Sequence, residues 1–409
     1  MDLEKIRSDF PILRKKINGY SLIYFDNAAT SLTPVQVYEA VMDYYKNYSA
    51  NVGRGLHTLA REVTERFESA RSKVAEFINA RYPDEIVFVR NATEGINLVS
   101  YSWARDRLSS NDKIVTTVME HHSNLLPWLK IHREKNVELR VVPITSDGHI
   151  DLHYLEKEIK DAKLVAVVHA SNVLGTINNV REIAKMVHEY GGYILVDGAQ
   201  SAPHLRIDVR ELDCDFFIFS GHKMLGPTGI GVLYVRKEIM EEMKEFQVGG
   251  GMISDVSCTL NSCEVKWASP PHMFEAGTPH IAGAFGLIAA IEYLQNISMN
   301  DVRDHELKLL KEMIGLLSEV PGVNILGPKE PRERTGLVAF TVKGFDPHEI
   351  ALLLDQRGIA IRSGHHCALP LHKFLGMDGS ARASFYIYNS VEEVETFIKE
   401  LKKIVGLGF

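Results

Sequence analysis

The stretch Asp215-Phe216-Phe217-Ile218-Phe219-Ser220-Gly221-His222-Lys223 decides how this chain is read. Its apolar run has the length and composition of a buried strand, closed off by Ser220 and Gly221. The strand ends in a lysine set among small and polar residues. An ammonium group beside an apolar core is costly unless its charge is lost or used. A lysine desolvated at the mouth of a sheet has a lowered pKa, which leaves a neutral amine able to form a Schiff base with a carbonyl cofactor. The alternative for Lys223 is a surface lysine that lays its stem over the strand end and keeps its head in water.

Outward from this stretch, between about residues 85 and 236, short β-branched runs alternate with helical patterns. The runs are Glu85 to Val89, Lys113 to Val118, Leu139 to Ile144, Leu164 to His169, Tyr193 to Val196, Phe216 to Phe219 and Gly231 to Val235. The segment Val180 to Tyr190, with Ile183, Val187 and Tyr190 on one face, typifies the helices between them. This alternation predicts an α/β fold with a mostly parallel sheet covered by helices on both faces. Ligands of such sheets sit beyond the carboxyl ends of the strands. Gln247 to Thr278 breaks the pattern with Gly249-Gly250-Gly251 and Pro270-Pro271, and reads as an irregular excursion or long hairpin. Helices are predicted at Ile281 to Leu294 and Asp301 to Val320. A smaller α/β unit follows, with strands near Val323 to Leu326, Leu337 to Val342 and Ala383 to Ile387 and a last helix from Val391 to Val405.

With 409 residues, the chain is expected to hold a large α/β domain and a smaller companion. The net charge of -7 gives no electrostatic footprint for nucleic acid or an anionic membrane. Small molecules and other proteins are the expected partners. Residues 1–16 contain no apolar run, and no stretch approaches the roughly 18 consecutive apolar residues that span a bilayer, so a cytoplasmic protein is expected. The four cysteines, at 214, 258, 263 and 367, show no paired framework and no C-x-x-C spacing. Cys214 reads as core, and Cys258 and Cys263 as incidental or as a regulatory pair.

Residues that could carry chemistry fall after strands. Asp197 opens Asp197-Gly198-Ala199-Gln200 and could pair with a cationic ring nitrogen, or simply cap a helix. Arg90-Asn91-Ala92-Thr93-Glu94 joins a strand to a helix, and its N–H groups with the Thr93 hydroxyl suit a phosphate; Thr93 as a plain N-cap is the alternative. No G-x-G-x-x-G or P-loop pattern is present, so a dinucleotide or nucleotide reading is weak. His121, in Glu120-His121-His122-Ser123-Asn124, could lie against a planar cofactor or move protons. In Arg362-Ser363-Gly364-His365-His366-Cys367-Ala368, neighbouring Arg and His⁺ would favour a thiolate, which makes Cys367 the best nucleophile candidate among the cysteines. His365, His366 and Cys367 are also zinc ligand types, although three consecutive residues rarely satisfy one tetrahedral site.

Taken together, Ser220-Gly221-His222-Lys223, Asp197-Gly198-Ala199-Gln200, Met119 to Asn124, Ser171-Asn172-Val173-Leu174-Gly175 and Arg362 to Cys367 resemble the SUF-type (group II) cysteine desulfurases of the class V aminotransferase family. The resemblance runs from about Phe10 to the C-terminus. It implies fold type I, the cofactor pyridoxal 5'-phosphate, a homodimer, and conversion of L-cysteine to L-alanine with sulfur carried as a persulfide on Cys367. It implies an N-terminal segment (1–20) packed with the small domain, a large cofactor domain (21–290, with the hairpin excursion 247–278) and a small domain (291–409) bearing the cysteine loop. By motif, Lys223 would bond the cofactor and move the Cα proton, Asp197 would hold the pyridine nitrogen, and His121 would stack on the ring. Gln200 would contact the phenolic oxygen. Thr93, Ser220 and His222 would hold the phosphate, joined by Thr278 of the partner subunit. Arg382 would clamp the substrate carboxylate with Asn172 assisting, and Arg362 and His57 would also lie at the substrate. The excursion implies a sulfur-acceptor protein of the SUF system and service to iron–sulfur cluster assembly. A selenocysteine lyase, a cysteine sulfinate desulfinase and a non-catalytic sulfur-relay scaffold are the alternatives.

Overall fold

The computed structural model describes residues 1–406. Seven strands form the main sheet: β1 (Ile86–Val89), β2 (Lys113–Thr117), β3 (Glu138–Val142), β4 (Ala162–Val168), β5 (Tyr193–Asp197), β6 (Phe216–Ser220) and β7 (Gly231–Val235). Their order is β1-β7-β6-β5-β4-β2-β3. β7 runs antiparallel to both its neighbours, and the other neighbouring pairs are parallel. The sheet is therefore mostly parallel, as the alternating pattern predicts.

β6 lies inside this sheet and is buried along its whole length. Its side chains divide between two cores, Phe217 and Phe219 on one face and Phe216 and Ile218 on the other. Burying each contributes about 1.5–3 kcal/mol, which explains why the strand carries no polar residue until its end. Helices α1 (Thr58–Phe77), α4 (Val180–Glu189) and α5 (Ile281–Ile297) cover the first face; α2 (Ala92–Val99) and α3 (Leu126–Lys135) cover the second. α4 buries Ile183 and Val187, but it ends at Glu189, so Tyr190 is a half-exposed cap residue and not part of the apolar face.

The excursion contains the hairpin β8 (Ile253–Cys258) and β9 (Cys263–Trp267), whose side chains are nearly all exposed. Cys258 and Cys263 face each other at its last register pair and form a disulfide. Of the two readings of Cys258 and Cys263, incidental or a pair, the incidental one is corrected: facing positions on a tight hairpin bring two side chains together whatever the spacing motif. Cys214 is buried in the core, where burial pushes its thiol pKa far up.

The small domain holds a second sheet of β10 (Val323–Leu326), β11 (Leu337–Val342), β12 (Arg362–Gly364) and β13 (Ser380–Ser384), in the order β10-β11-β13-β12 and antiparallel throughout. Helices α6 (Met299–Ser318) and α7 (Val391–Gly406) bury Leu309, Met313, Phe397 and Leu401 against it. β13 lies three residues earlier than expected. The apolar run after Ser384 is buried, but the pairing with β11 spans Leu337↔Ser384 to Phe340↔Ala381, and the chain then turns, with Asn389 N–H donating to Tyr386. Burial without alternation misplaced that strand.

At the N-terminus, Arg7 pairs with Glu393 and Phe10 packs on Tyr388. Ile23–Tyr24 forms a short parallel pair with Ile359–Ala360, and Asp26 bridges to Ser384. Residues 23–26 therefore lie beside the strands of the second sheet.

Candidate active site

The carboxyl ends of β2, β4, β5 and β6 meet the Arg362–Cys367 segment around one cavity of about 250 Å³. Lys223, Asp197, Gln200, His121, Asn172, Cys367, Arg362 and Arg382 all line it, as do Thr93, Ser220 and His222 at one end. Residues far apart in the chain converge because each follows a strand of one sheet or belongs to the domain docked over its end.

Lys223 closes the short turn after β6. Burial brings its pKa down to about 8, against the pull of Asp197. It therefore does not lie along the surface with its head in water; its amine is poised for carbonyl chemistry. Asp197 is the last residue of β5 and accepts a hydrogen bond from the Ala199 N–H at 3.0 Å. Burial pushes its carboxyl up, while the Ala199 N–H and Lys223 oppose this. A Cβ on Gly198 would lie 2.1 Å from Phe217 Cζ, so only glycine lets the chain leave β5 in this direction.

His121 caps a short turn after β2, where its Nδ1 accepts the Ser123 N–H at 3.1 Å. Its proton therefore sits on Nε2. Burial and Lys223 lower its pKa to about 3, so it is a neutral ring at the cavity wall. Sequence reading passed over the preceding residue, Glu120, which is fully buried. It accepts hydrogen bonds from the Thr117 hydroxyl (2.7 Å), Val168 N–H (3.0 Å) and Asn124 Nδ2 (2.6 Å), fastening the His121 turn to β2 and β4. Burial pushes Glu120 up to about 8.

At the other end, α2 points its N-terminus into the cavity. Its N-cap is Asn91, whose side chain accepts the Glu94 N–H, so Thr93 is not the cap. The Thr93 hydroxyl instead meets Ser123 Oγ at 2.6 Å, and Ser220 Oγ accepts the Ala92 N–H at 2.8 Å. His222 Nδ1 lies 3.2 Å from the Thr30 hydroxyl. Hydroxyls, N–H groups and a helix N-terminus together make a seat for a phosphate.

Arg382, on β13, donates to Asp26 Oδ1 at 3.1 Å and to the Asn172 carbonyl at 2.8 Å. Burial lowers its pKa only to about 10, so it stays charged. Asp26, unremarked in the sequence, thus orients the guanidinium. Asn172 Nδ2 donates to the His366 carbonyl at 2.7 Å and ties β4's loop to the cysteine segment.

Cys367 and His366 both have positive φ, +57° and +49°, a conformation that costs L residues energy and that the surroundings must impose. The His122 N–H donates to the Cys367 carbonyl at 2.7 Å, and the Cys367 N–H donates to His365 Nδ1 at 3.0 Å. His366 is buried, and its pKa is pressed down to about 2 by burial and Arg382. It is neutral, so the expected imidazolium support for the thiolate from this histidine is corrected; the cations beside the thiol are Arg362 and Arg382. No cluster of three His, Cys, Asp or Glu side chains able to hold a metal ion occurs among the described residues.

Thr278 and His57 do not join this cavity. They line a separate one of about 780 Å³ with Arg54 and Gly277. His57 there caps α1, its Nδ1 accepting the Ala60 N–H.

Pyridoxal phosphate fits the main cavity by its donor set and by its unmet bonds. Gln200 Oε1, Asn172 Oδ1 and Arg382 Nε are buried there without a partner among the described residues. Buried groups of this kind are nearly always hydrogen-bonded, so these await a polar guest. Lys223 would bond the cofactor's carbonyl carbon, Asp197 would face its ring nitrogen, and the α2 N-terminus with Thr93, Ser220 and His222 would take its phosphate.

Comparison with known proteins gives the same picture. The sequence profile of the family described as aminotransferase class-V matches residues 23–397. A probable cysteine desulfurase of Halalkalibacterium halodurans is 47% identical over 404 residues, covering 98% of both chains. The apo structure of a cysteine desulfurase from Thermococcus onnurineus NA1 superposes with a TM-score of 0.94, at 45% identity and 99% coverage of each chain. The cysteine desulfurase CsdA of Escherichia coli, in its S-sulfonic acid form, gives 0.91 at 35% identity over the whole of both chains.

Proposed function

This chain belongs to the class V aminotransferase family, as a pyridoxal-phosphate-dependent cysteine desulfurase, and from that premise we propose that it supplies persulfide sulfur for iron–sulfur cluster assembly as the SUF-type enzyme of a cytoplasmic system. The observation that carries the reading is the placement of the Cys367 thiol in the same cavity as Lys223, Asp197 and Arg382. A nucleophile and the groups that bind and activate an amino acid share one space.

The cofactor, when bound, supplies an electron sink for the bond-breaking at Cα. This chain's residues do the rest. Arg382, steadied by Asp26, holds the substrate carboxylate in its forked donors. Lys223, its pKa near the working pH, takes and returns the Cα proton. Asp197 would face the ring nitrogen, with the Ala199 N–H and Lys223 working against the upward push of burial on its carboxyl, and His121 would lie against the ring as a neutral imidazole. The Cys367 thiolate attacks the substrate sulfur. The S–S bond forms as the C–S bond breaks, and the electron pair left on carbon takes up the proton of the substrate thiol. L-Alanine leaves and Cys367 retains a persulfide, with no outside oxidant required.

That persulfide needs an acceptor. The exposed hairpin β8–β9 and the half-exposed thiol support an acceptor protein of the SUF kind, with a cluster scaffold downstream. The position of Thr278, in a cavity apart from Lys223, supports a homodimer in which Thr278 of the partner subunit reaches the phosphate.

The test is alanine released from L-cysteine with a reductant present, wild type beside Cys367→Ala. Alanine from the wild type and almost none from the variant is expected, with the cofactor still bound in both. Undiminished alanine from Cys367→Ala would overturn the role of this thiol. Transfer of labelled sulfur from the wild type to an acceptor protein, and from there into a cluster, tests the cellular role; sulfur that stays on Cys367 would overturn it.

A further inference from the structure

A buried chain of hydrogen bonds behind Cys367 fixes the protons on two histidines. His372 Nδ1 lies 3.1 Å from the Ala368 carbonyl, which can only accept, so His372 carries its proton on Nδ1. His372 Nε2 is then bare, and the Ser380 hydroxyl, 3.0 Å away, donates to it. With its one proton used, Ser380 Oγ can only accept from His366 Nε2, at 3.1 Å. The Ser380 carbonyl, also 3.1 Å from that nitrogen, requires the same donor. His366 therefore holds its proton on Nε2 and leaves Nδ1 as a bare lone pair.

All three members of the chain are at least nine-tenths buried, and His366 Nδ1 has no partner among the described residues. His366 is among the residues that line the main cavity, with Cys367, Asn172 and Arg382. A lone pair held in place and left unmet calls for a donor that arrives with the ligand. The substrate carboxylate offers none and belongs to Arg382. The amine is drawn to the Lys223 end. The substrate thiol remains, and it must lie against Cys367, the next residue to His366, for sulfur transfer to occur.

Resting on the desulfurase reading, we infer that His366 Nδ1 accepts a hydrogen bond from the thiol of bound L-cysteine, and that Ser380 and His372 are positioning residues that keep this lone pair in place. The site then selects for a side chain ending in a donor of that length. A neutral acceptor also leaves the sulfur free to be attacked, where a cation would hold it as a bound anion.

The test uses the holoenzyme in a Cys367→Ala background, which blocks sulfur transfer, and reads the visible absorbance of the bound cofactor during titration with L-cysteine and with L-alanine. His366→Gln keeps a donor for Ser380 but removes the acceptor at the Nδ1 position. L-Cysteine binding is expected to weaken about five- to tenfold while L-alanine, which has no thiol, binds as before. His366→Asn, which restores an acceptor near Nδ1, is expected to recover most of the preference for L-cysteine. Equal weakening of both ligands, or of neither, overturns the inference and leaves the desulfurase reading standing. In holoenzyme that keeps Cys367, a His366→Gln change in the alkylation rate of that thiol, with both ligand titrations in the Cys367→Ala background unmoved, would assign the lone pair to the enzyme's own thiol and also overturn it. No spectral response to L-cysteine in Cys367→Ala itself would overturn both readings together.

Discussion

At the scale of single residues, Lys223 and Arg382 show how burial turns ordinary cations to opposite uses. The Lys223 amine can shed its proton and loses its charge readily, whereas the guanidinium of Arg382 stays charged and forked. Lys223→Ala is expected to abolish the borohydride-reducible link between cofactor and protein, read by mass spectrometry; a cofactor still fixed elsewhere would refute the assignment. Arg382→Lys should weaken L-cysteine about 10- to 100-fold, because a point charge replaces two directed donors. A Kd from spectral titration checks it. His169 makes a stability prediction. Burial lowers its pKa to about 4, so the folded protein keeps it neutral while the unfolded chain, near 6.5, binds the proton first. Its contribution is complete above about 6.5 and is lost as pH falls toward 4, at about 1.4 kcal/mol per pH unit. His169→Gln should flatten denaturation midpoints measured across that window, and parallel curves for the two proteins would count against it.

At the scale of elements, strands were legible where apolar runs were bounded by turn residues, and less so where burial extended past the pairing. Gly231–Val235, Val323–Leu326 and Leu337–Val342 fall where the sequence puts them, while β13 slipped by three residues because Phe385 to Tyr388 are buried without being paired along their length. The hairpin β8–β9 was legible as an excursion, but its disulfide was not, since pairing depends on register across the turn. Two free thiols, Cys214 and Cys367, are therefore expected on titration of unfolded, unreduced protein, and all four after reduction. Four thiols before reduction would contradict the pairing. The Cys258→Ser, Cys263→Ser double variant should keep its core stability, because the hairpin's side chains are exposed and add little to any core. Proteolytic nicking near Leu260 should increase.

At the scale of the whole molecule, the separation of Thr278 from Lys223 makes a prediction that one chain alone cannot satisfy. If Thr278 of the partner subunit completes the phosphate site, Thr278→Ala loses activity through weak cofactor retention. Mixing and reassembling it with inactive Lys223→Ala chains should then yield activity above either parent, since a mixed dimer rebuilds one intact site. No recovery in dimers shown to be mixed would overturn the shared site. The sequence by itself determined the layered α/β sheet, the candidate lysine just after β6 and the candidate chemistry, because strand period, burial and post-strand polar residues are local properties of the chain. Only the tertiary structure decided that Asp26 steers Arg382, that Glu120 anchors His121, and that Ser380 and His372 fix the proton on His366. Asp26 lies 356 residues from Arg382 and Glu120 reaches Val168 48 residues away, while His366, Ser380 and His372, within 14 residues of one another, meet only because the chain folds back between them; hydrogen-bond distance is set by that folding, which no local pattern records.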